Sequence, residues 1–175
     1  MSGAGQNLDV TSREASWEAV FAEVNSWRGA CMHHFSTVEM AVTETLIALS
    51  EAAPKGENIR LRQLIGQRFE DLASTIGPGG PFANEGHTAF VALSDYRAKQ
   101  EAFRALLCHG AIKVTVDQGG QWTLVIRSLS VRSRQAVRGL EVLERTEAHS
   151  RLNALKSEGQ KLTSLLGQLR KISAI

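Results

Sequence analysis

The feature that most constrains this chain is an apolar stripe that runs through its first third. Large apolar residues recur there at three- and four-residue steps, at Trp17, Val20, Phe21, Val24, Trp27, Cys31, Phe35, Val38, Val42, Leu46 and Leu49. This spacing matches the 3.6-residue period of an α-helix and predicts one helix of about 40 residues. We expect it to begin at a capping box over Thr11-Ser12-Arg13-Glu14 and to stop at Ala53-Pro54-Lys55-Gly56.

Two further helical patterns follow the first. Apolar residues at helical spacing predict a second helix near 59–76 and a third near 86–108. The glycine- and proline-rich segment 77–81 between them cannot remain helical and is expected to form a loop. Asn84 is a candidate N-cap for the third helix, and Gly110 is a natural terminator for it.

The hydrophobic period then changes from 3.6 to 2. The alternating apolar residues are Ile112, Val114 and Val116 before a Gly119-Gly120 turn, and Trp122, Leu124 and Ile126 after it. This pattern predicts a β-hairpin at about 111–127. A lone hairpin is only marginally stable in water, so it is expected to pack on the helices or to add to a partner's sheet.

A narrow seam of apolar residues occupies the C-terminal region and predicts one long helix, or two, over 131–172. The seam consists of Val137, Leu140, Leu143, Leu152, Leu155, Leu162, Leu165, Leu166, Leu169 and Ile172. Such a seam favours helix-to-helix packing, including packing between two chains. The predicted fold is therefore mainly α: a four- or five-helix up-and-down bundle with a short β-hairpin inserted before a long C-terminal helix. Residues 1–10 are predicted to be a flexible tail, and residues 11–175 a single helical domain.

Length and composition restrict the class of protein. A chain of 175 residues with 43% apolar and 22% charged residues is typical of one globular domain. It lacks the run of about 18 apolar residues that a membrane helix needs, and its first residues do not resemble a signal peptide. Cys31 and Cys108 have no metal-like spacing and are expected to be buried thiols. These features predict a cytoplasmic protein.

Charge is distributed unevenly along the chain. Residues 1–53 carry a net charge of −5, and residues 54–175 carry +7. Within the second segment lies a cluster with no acidic residue among its members: Arg127, Arg132, Arg134 and Arg138. Such a cluster predicts contacts with RNA phosphates. It could equally pair with the acidic first helix or be a solvated face.

A short motif ends the third predicted helix, at Phe103-Arg104-Ala105-Leu106-Leu107-Cys108-His109-Gly110. An Arg stands five residues before a His, and a Gly and the β-hairpin follow. This arrangement resembles the R-x4–6-H motif of the HEPN superfamily, in which a polar residue, often Asn, is common at the position of Ala105. The resemblance covers this segment closely and the helical frame loosely.

The resemblance implies a compact, dimeric α-helical domain that in many family members is a metal-independent endoribonuclease of a toxin–antitoxin or antiviral defence system. It implies proton transfer by His109 and phosphate binding and charge stabilisation by Arg104. Histidine exchanges protons near neutral pH, and arginine is permanently charged and bidentate, so both suit RNA cleavage by the substrate's own 2′-OH. The side chains of helical residues five positions apart point about 140° away from each other, so Arg104 and His109 would not converge on one continuous helix. We therefore expect the helix to end near Cys108, which lets His109 turn outward. The resemblance implies that a second copy of the chain then completes the catalytic cleft.

Structural roles are open to the same residues. Arg104 could form an exposed ion pair with Glu101, three residues earlier on the helix. His109 could cap helix carbonyls, because the helix dipole favours a cation at the C-terminal end.

Arg28 with His33 or His34 matches the same spacing and is a second candidate pair, although it lies within the first predicted helix. Adjacent helical residues point about 100° apart, so these two histidines cannot readily share a metal ion. We expect neither a metal nor an organic cofactor.

The sequence therefore leads to two alternative predictions of function. The leading one is a homodimeric HEPN-like endoribonuclease whose partners are RNA and a protein partner or antitoxin. The alternative is a non-catalytic helical oligomerisation or adaptor module that binds protein partners through the hairpin and the C-terminal seam.

Overall fold

A computed structural model describes the backbone of residues 5–132 and 134–173, and the side chains of residues 17–131 and 134–172. The elements in chain order are α1 (Gly5–Glu51), α2 (Ile65–Ile76), α3 (Ala83–His109), β1 (Ala111–Val116), β2 (Trp122–Arg132), β3 (Gln135–Glu144) and α4 (Arg145–Ser173). Helices account for 66% of the chain, which confirms the prediction of a mainly α protein.

The bounds of the first two helices differ from the prediction. The long helix α1 begins at Gly5, so the predicted capping box lies inside it, and only residues 1–4 of the predicted tail lie outside the described residues. Helix α2 begins at Ile65 rather than near 59, because the preceding segment is held in a loop. There the Arg62 Nε donates to the buried carboxylate of Asp71 at 2.8 Å from Oδ1.

The predicted hairpin is part of a three-stranded antiparallel sheet with the order β1-β2-β3. Strand β3 contradicts the prediction that the C-terminal helix begins near 131, and α4 begins only at Arg145. Leu140 and Leu143 suited a helical period, but long-range pairing decides their conformation, because they lie opposite Arg127 and Leu124 of β2. The expected bundle with a short hairpin is therefore wrong in its details, while the hairpin of β1 and β2 is confirmed.

The chain divides into two compact units, and each boundary falls inside a helix. The first, here called the sheet unit, comprises residues 1–31 and 105–153. Trp122 and Leu124 are buried on the inner face of its sheet. The indole of Trp27 lies 6.3 Å from that of Trp122, and its Nε1 donates to the carbonyl oxygen of Ala148 at 2.8 Å. Trp27 therefore anchors α1 to both the sheet and the start of α4.

The second, here called the helical unit, comprises residues 32–104 and 154–175. Segments of α1, α3 and α4, together with α2, supply its core, and the ring of Phe35 packs edge-on against that of Phe103. The C-terminal seam contributes four residues that are at most 2% exposed, namely Leu155, Leu162, Leu166 and Leu169. These four leucines are therefore buried by the chain itself and are not available to bind a second chain.

Candidate functional site

His109 is the last residue of α3, and its side chain is exposed. The chain leaves the helix at Gly110, whose backbone N–H donates to the carbonyl oxygen of Leu106 at 2.8 Å. A Cβ at Gly110 would lie 2.4 Å from that oxygen and 2.6 Å from Cγ2 of Ile126. Only glycine fits this close approach, and it fixes the point at which the helix ends beside His109.

Arg28 reaches the same end of α3. Its Nη2 donates to the carbonyl oxygen of Leu107 at 2.9 Å, which satisfies one of the carbonyls that a helix C-terminus leaves without an intrahelical partner. Arg28 and His109 both belong to the sheet unit. Sequence spacing related Arg28 only to His33 and His34 and missed this contact, because Arg28 and Leu107 are 79 positions apart.

Arg104 lies in a different environment, within the helical unit. Its guanidinium forms an ion pair with the carboxylate of Glu39, and both side chains are partly buried. The expected partner Glu101 instead lies 3.4 Å from Nε of Arg97. Of the roles open to Arg104, the pair with Glu101 is therefore not the one observed, because the fold presents a better-buried carboxylate from α1.

Arg104 and Glu39 line a small, partly open cleft. Its apolar wall includes the parallel rings of Phe69 and Tyr96, whose centroids are 6.4 Å apart. Within the described part of the chain, the buried Tyr96 hydroxyl has no hydrogen-bond partner. Burial raises the pKa of Tyr96, and the nearby Glu39 carboxylate raises it further, so this phenol stays a neutral donor.

Arg104 and His109 both lie on α3, which continues through Cys108. Helical residues five apart point about 140° apart, so the helix itself does not bring their side chains together. Arg104 is the last residue of its segment in the helical unit, whereas His109 belongs to the sheet unit. Within the sheet unit, Arg28 is the arginine whose side chain contacts the end of α3 that carries His109.

The arginine cluster lies on a two-stranded projection of the sheet. Strand β1 pairs with β2 only as far as the Ala111–Arg127 pair, so beyond it β2 and β3 pair only with each other among the described residues. We call residues 127–132 and 134–139, which run from that pair toward the turn, the arm. Arg134 lies at its turn, with a positive φ of 65°, and Arg138 lies opposite Leu129.

The positions of the four arginines agree with a surface cluster. Arg127, Arg134 and Arg138 are exposed, and within the described residues none of them forms an ion pair. Arg132 lies in β2, but its side chain is outside the described residues. The acidic α1 residue Glu23 instead pairs with Arg145, so pairing of the cluster with that carboxylate is not observed. Arg127 and Arg138 share one face of the sheet.

The two cysteines differ in burial. Cys31 is fully buried, as predicted, and this burial raises its pKa to about 12. Cys108 is only half-buried, so the prediction for this residue is wrong. It lies one residue before the end of α3.

Comparisons with protein families, curated protein sequences and solved structures find no match for this chain. In the described residues, no group of three or more His, Cys, Asp or Glu side chains is arranged to hold a metal ion. Over the same residues, no helix combines the length and the apolar character that crossing a membrane requires.

Proposed function

We propose that this chain is a HEPN-like RNA-binding protein that cleaves RNA, with His109 as the proton-transfer residue. The observation that supports this most directly is the end of α3. An exposed imidazole stands there next to a glycine that the packing requires, and Arg28 is bound to the same helix end.

The proposed chemistry uses the nucleophile that RNA carries. The 2′-OH attacks the adjacent phosphorus and expels the 5′-oxygen of the next nucleotide. His109 accepts the hydroxyl proton and returns it through water to the departing 5′-oxygen, which leaves a 2′,3′-cyclic phosphate and a 5′-hydroxyl. An arginine stabilises the negative charge that develops on the phosphate oxygens. An exposed side chain at a helix end can approach a bulky polymer such as RNA, which a buried histidine could not do.

Two arginines are candidates for the charge-stabilising role. Arg104 is the residue that the motif assigns, but it must exchange its Glu39 partner for a phosphate before it can act. Arg28 already lies at the helix end that carries His109. In a homodimer, Arg104 of a second copy could complete the site, as the family resemblance implies.

The arm supplies the proposed RNA contacts. Arg127, Arg134 and Arg138 are exposed cations, and Arg132 adjoins the turn of the arm in sequence. A two-stranded β-ribbon that carries arginines can follow a phosphate backbone, because such contacts depend on charge and not on base sequence.

The proposed activity is tested by incubating the full-length chain with total RNA in the presence of EDTA. We expect the wild type to cleave RNA and His109→Ala to lose at least about 100-fold of the rate, the usual size of a general acid–base contribution. His87→Ala is the matched control, because His87 is also exposed on α3. Equal rates for wild type and His109→Ala would remove His109 from the mechanism.

A second set of variants distinguishes the roles of the two candidate arginines, Arg104 and Arg28. Arg104→Ala and Glu39→Gln both remove the Arg104–Glu39 ion pair, but only Arg104→Ala removes the cation. If Arg104 binds phosphate, Arg104→Ala loses cleavage and Glu39→Gln retains it. If the two variants lose activity equally, the role of Arg104 is structural, and Arg28→Ala then tests the other candidate.

The second candidate function is a non-catalytic oligomerisation or adaptor module. It is favoured by the apolar side chains that β2 and β3 expose to solvent: Leu129, Val131, Val137, Leu140 and Val142. Such a concentration of exposed apolar residues is typical of an interaction surface. A wild-type chain that does not cleave RNA but forms stable complexes through the arm would support this function instead.

A further inference from the structure

The outer edge of β3 has the properties of a pairing edge. Strand β3 is ten residues long and, among the described residues, pairs with β2 alone. Its opposite edge therefore presents a row of backbone N–H and C=O groups to solvent. Edge strands of this kind are usually protected by proline or by repelling charges. Strand β3 contains no proline, and its charged residues Arg138, Glu141 and Glu144 are of both signs.

The side chains along this edge are apolar and exposed. Leu140 is 67% exposed and Val142 is 52% exposed, and the register with β2 places both on one face of the sheet. Val137, on the other face, is 45% exposed. Strand β3 therefore exposes apolar side chains on both faces between residues 137 and 142. This exposure is unfavourable unless another strand covers these side chains.

The sequence of β3 suits pairing with a second copy of itself. A two-fold axis perpendicular to an antiparallel sheet sets one residue opposite its own copy. With Leu140 at that centre, the opposed pairs are Leu140 with Leu140, Glu141 with Gly139, Val142 with Arg138, Leu143 with Val137 and Glu144 with Ala136. Apolar side chains are then neighbours on both faces.

Charge complementarity supports the same register. Glu144 opposes Ala136 of the second copy, so it lies diagonal to Arg138 of that copy on the same face, within reach of that long side chain. Glu141 would lie diagonal to its own copy, but it is already neutralised by an ion pair with Arg151.

Other centres are less favourable. A register centred on Arg138 or Glu141 sets like charges directly opposite each other, which is destabilising. A register centred on Gly139 sets Val137 opposite Glu141 and brings together two residues without side chains. Among the four centres in the middle of the strand, residues 138–141, Leu140 therefore gives the most self-complementary register.

We propose that β3 pairs antiparallel with β3 of a second copy of this chain, in the register centred on Leu140, to form a continuous six-stranded sheet. The two-fold axis then places Arg127 and Arg138 of both copies on the same face of that sheet. The dimer would double the basic surface, but its formation does not depend on RNA binding or cleavage.

The register is tested by disulfide cross-linking in a full-length Cys108→Ser background, with the fully buried Cys31 retained. In the proposed register, Leu140→Cys places two thiols on directly opposed residues, whose Cβ atoms are about 5 Å apart. Mild oxidation should then give a covalent dimer of twice the 19.1 kDa chain mass. Val142→Cys is the matched control on the same face, since its copies would be about 14 Å apart, beyond disulfide range.

The mass in solution provides an independent test. Light scattering should show a dimer for the wild type. Leu140→Lys should raise the dimer dissociation constant at least 10-fold, because two ammonium groups would face each other. The helical circular dichroism should be unchanged, since Leu140 is exposed. A wild-type chain that is monomeric at the highest attainable concentration, or equal cross-linking of Leu140→Cys and Val142→Cys, would overturn the proposal.

Discussion

At the scale of single residues, two glycines show how local space decides the effect of a methyl group. Gly110 has neighbours at 2.4 and 2.6 Å from a virtual Cβ, whereas Gly29, in the middle of α1, has none within 4 Å. The helix end beside His109 therefore depends on Gly110, while Gly29 carries only the entropic disadvantage of glycine in a helix.

We predict opposite effects of the same substitution at these glycines. Gly110→Ala should lower the free energy of unfolding by about 1–3 kcal/mol through overpacking. Gly29→Ala should raise it by about 0.5–1 kcal/mol. Urea denaturation followed by circular dichroism measures both changes. Equal effects of the two variants would mean that Gly110 is not tightly packed.

Glu23 is a residue whose ionisation is coupled to folding. Burial opposes its ionisation, but hydrogen bonds with His149 at 3.1 Å and Arg145 at 2.7 Å outweigh that effect. The pKa of Glu23 is therefore below its ordinary value of 4.5. A carboxyl with a lowered pKa stabilises the fold above the pKa of the unfolded chain, and this contribution disappears as the pH falls through the folded value.

The corresponding prediction is a pH-dependent difference between wild type and Glu23→Gln. The wild type should be the more stable protein at neutral pH, and the difference should shrink as the pH falls below about 4.5. Denaturation curves at several pH values measure it, with Glu18→Gln, at an exposed position on α1, as the control. A difference that is constant between pH 7 and pH 3 would contradict this coupling.

At the scale of elements, β3 shows how one stretch of sequence can satisfy two periods. Val137, Leu140 and Leu143 recur every three residues, which suits a helix, yet they form a strand in which Leu143 is buried and Leu140 is exposed. The segment forms a strand and not a helix because ten of its residues pair with residues of β2. Because of this pairing, Arg132 and Arg138, which were predicted to lie in a helix, lie in strands of the arm, and Arg134 lies at its turn.

For the arm we predict a salt-dependent interaction with RNA. The logarithm of the association constant should fall linearly with the logarithm of salt concentration, because bound arginines displace counterions from phosphates. Arg127→Ala and Arg138→Ala should each reduce that slope by roughly one unit. Fluorescence anisotropy with a labelled single-stranded RNA measures the slope.

The control for this experiment is Arg60→Ala, an exposed arginine of the helical unit that is not part of the arm. It should leave the slope unchanged. If Arg60→Ala alters the slope as much as Arg138→Ala does, binding is a property of net charge and not of the arm.

At the scale of the whole molecule, the C-terminal leucines connect the end of the chain to its core. Leu155, Leu162 and Leu166 are fully buried in the helical unit, so α4 is a structural part of this chain. We predict that Leu166→Ala lowers the free energy of unfolding by about 2–5 kcal/mol, through the lost apolar contact and the cavity that remains. Ile172→Ala, at a 55% exposed position on the same helix, should change it by less than about 0.5 kcal/mol.

Removal of residues 151–175 extends the same prediction. Each fully buried leucine contributes about 1.5–3 kcal/mol, and the loss of four of them approaches the total stability of about 5–15 kcal/mol of an ordinary domain. The truncated chain should therefore unfold without a cooperative transition. A truncated chain that remains folded and changes only its oligomeric state would instead show that the seam serves association.

The parts of this protein that its sequence determines alone are those governed by local periodicity and by backbone chemistry. The uninterrupted stripe of α1, the helix stop at Gly110 and the alternation in β1 and β2 all follow from neighbours a few positions apart. The sequence alone also identifies the candidate residues Arg104 and His109, because both lie in one contiguous motif.

Only the tertiary structure decided what depends on residues far apart in the chain. These features are the ion pair between Arg104 and Glu39, the contact of Arg28 with the end of α3, the strand at residues 135–144 and the burial of the C-terminal leucines. The physical reason is that pairing and burial energies come from partners dozens of positions away. A periodic pattern records which residues are apolar but not which partners will cover them.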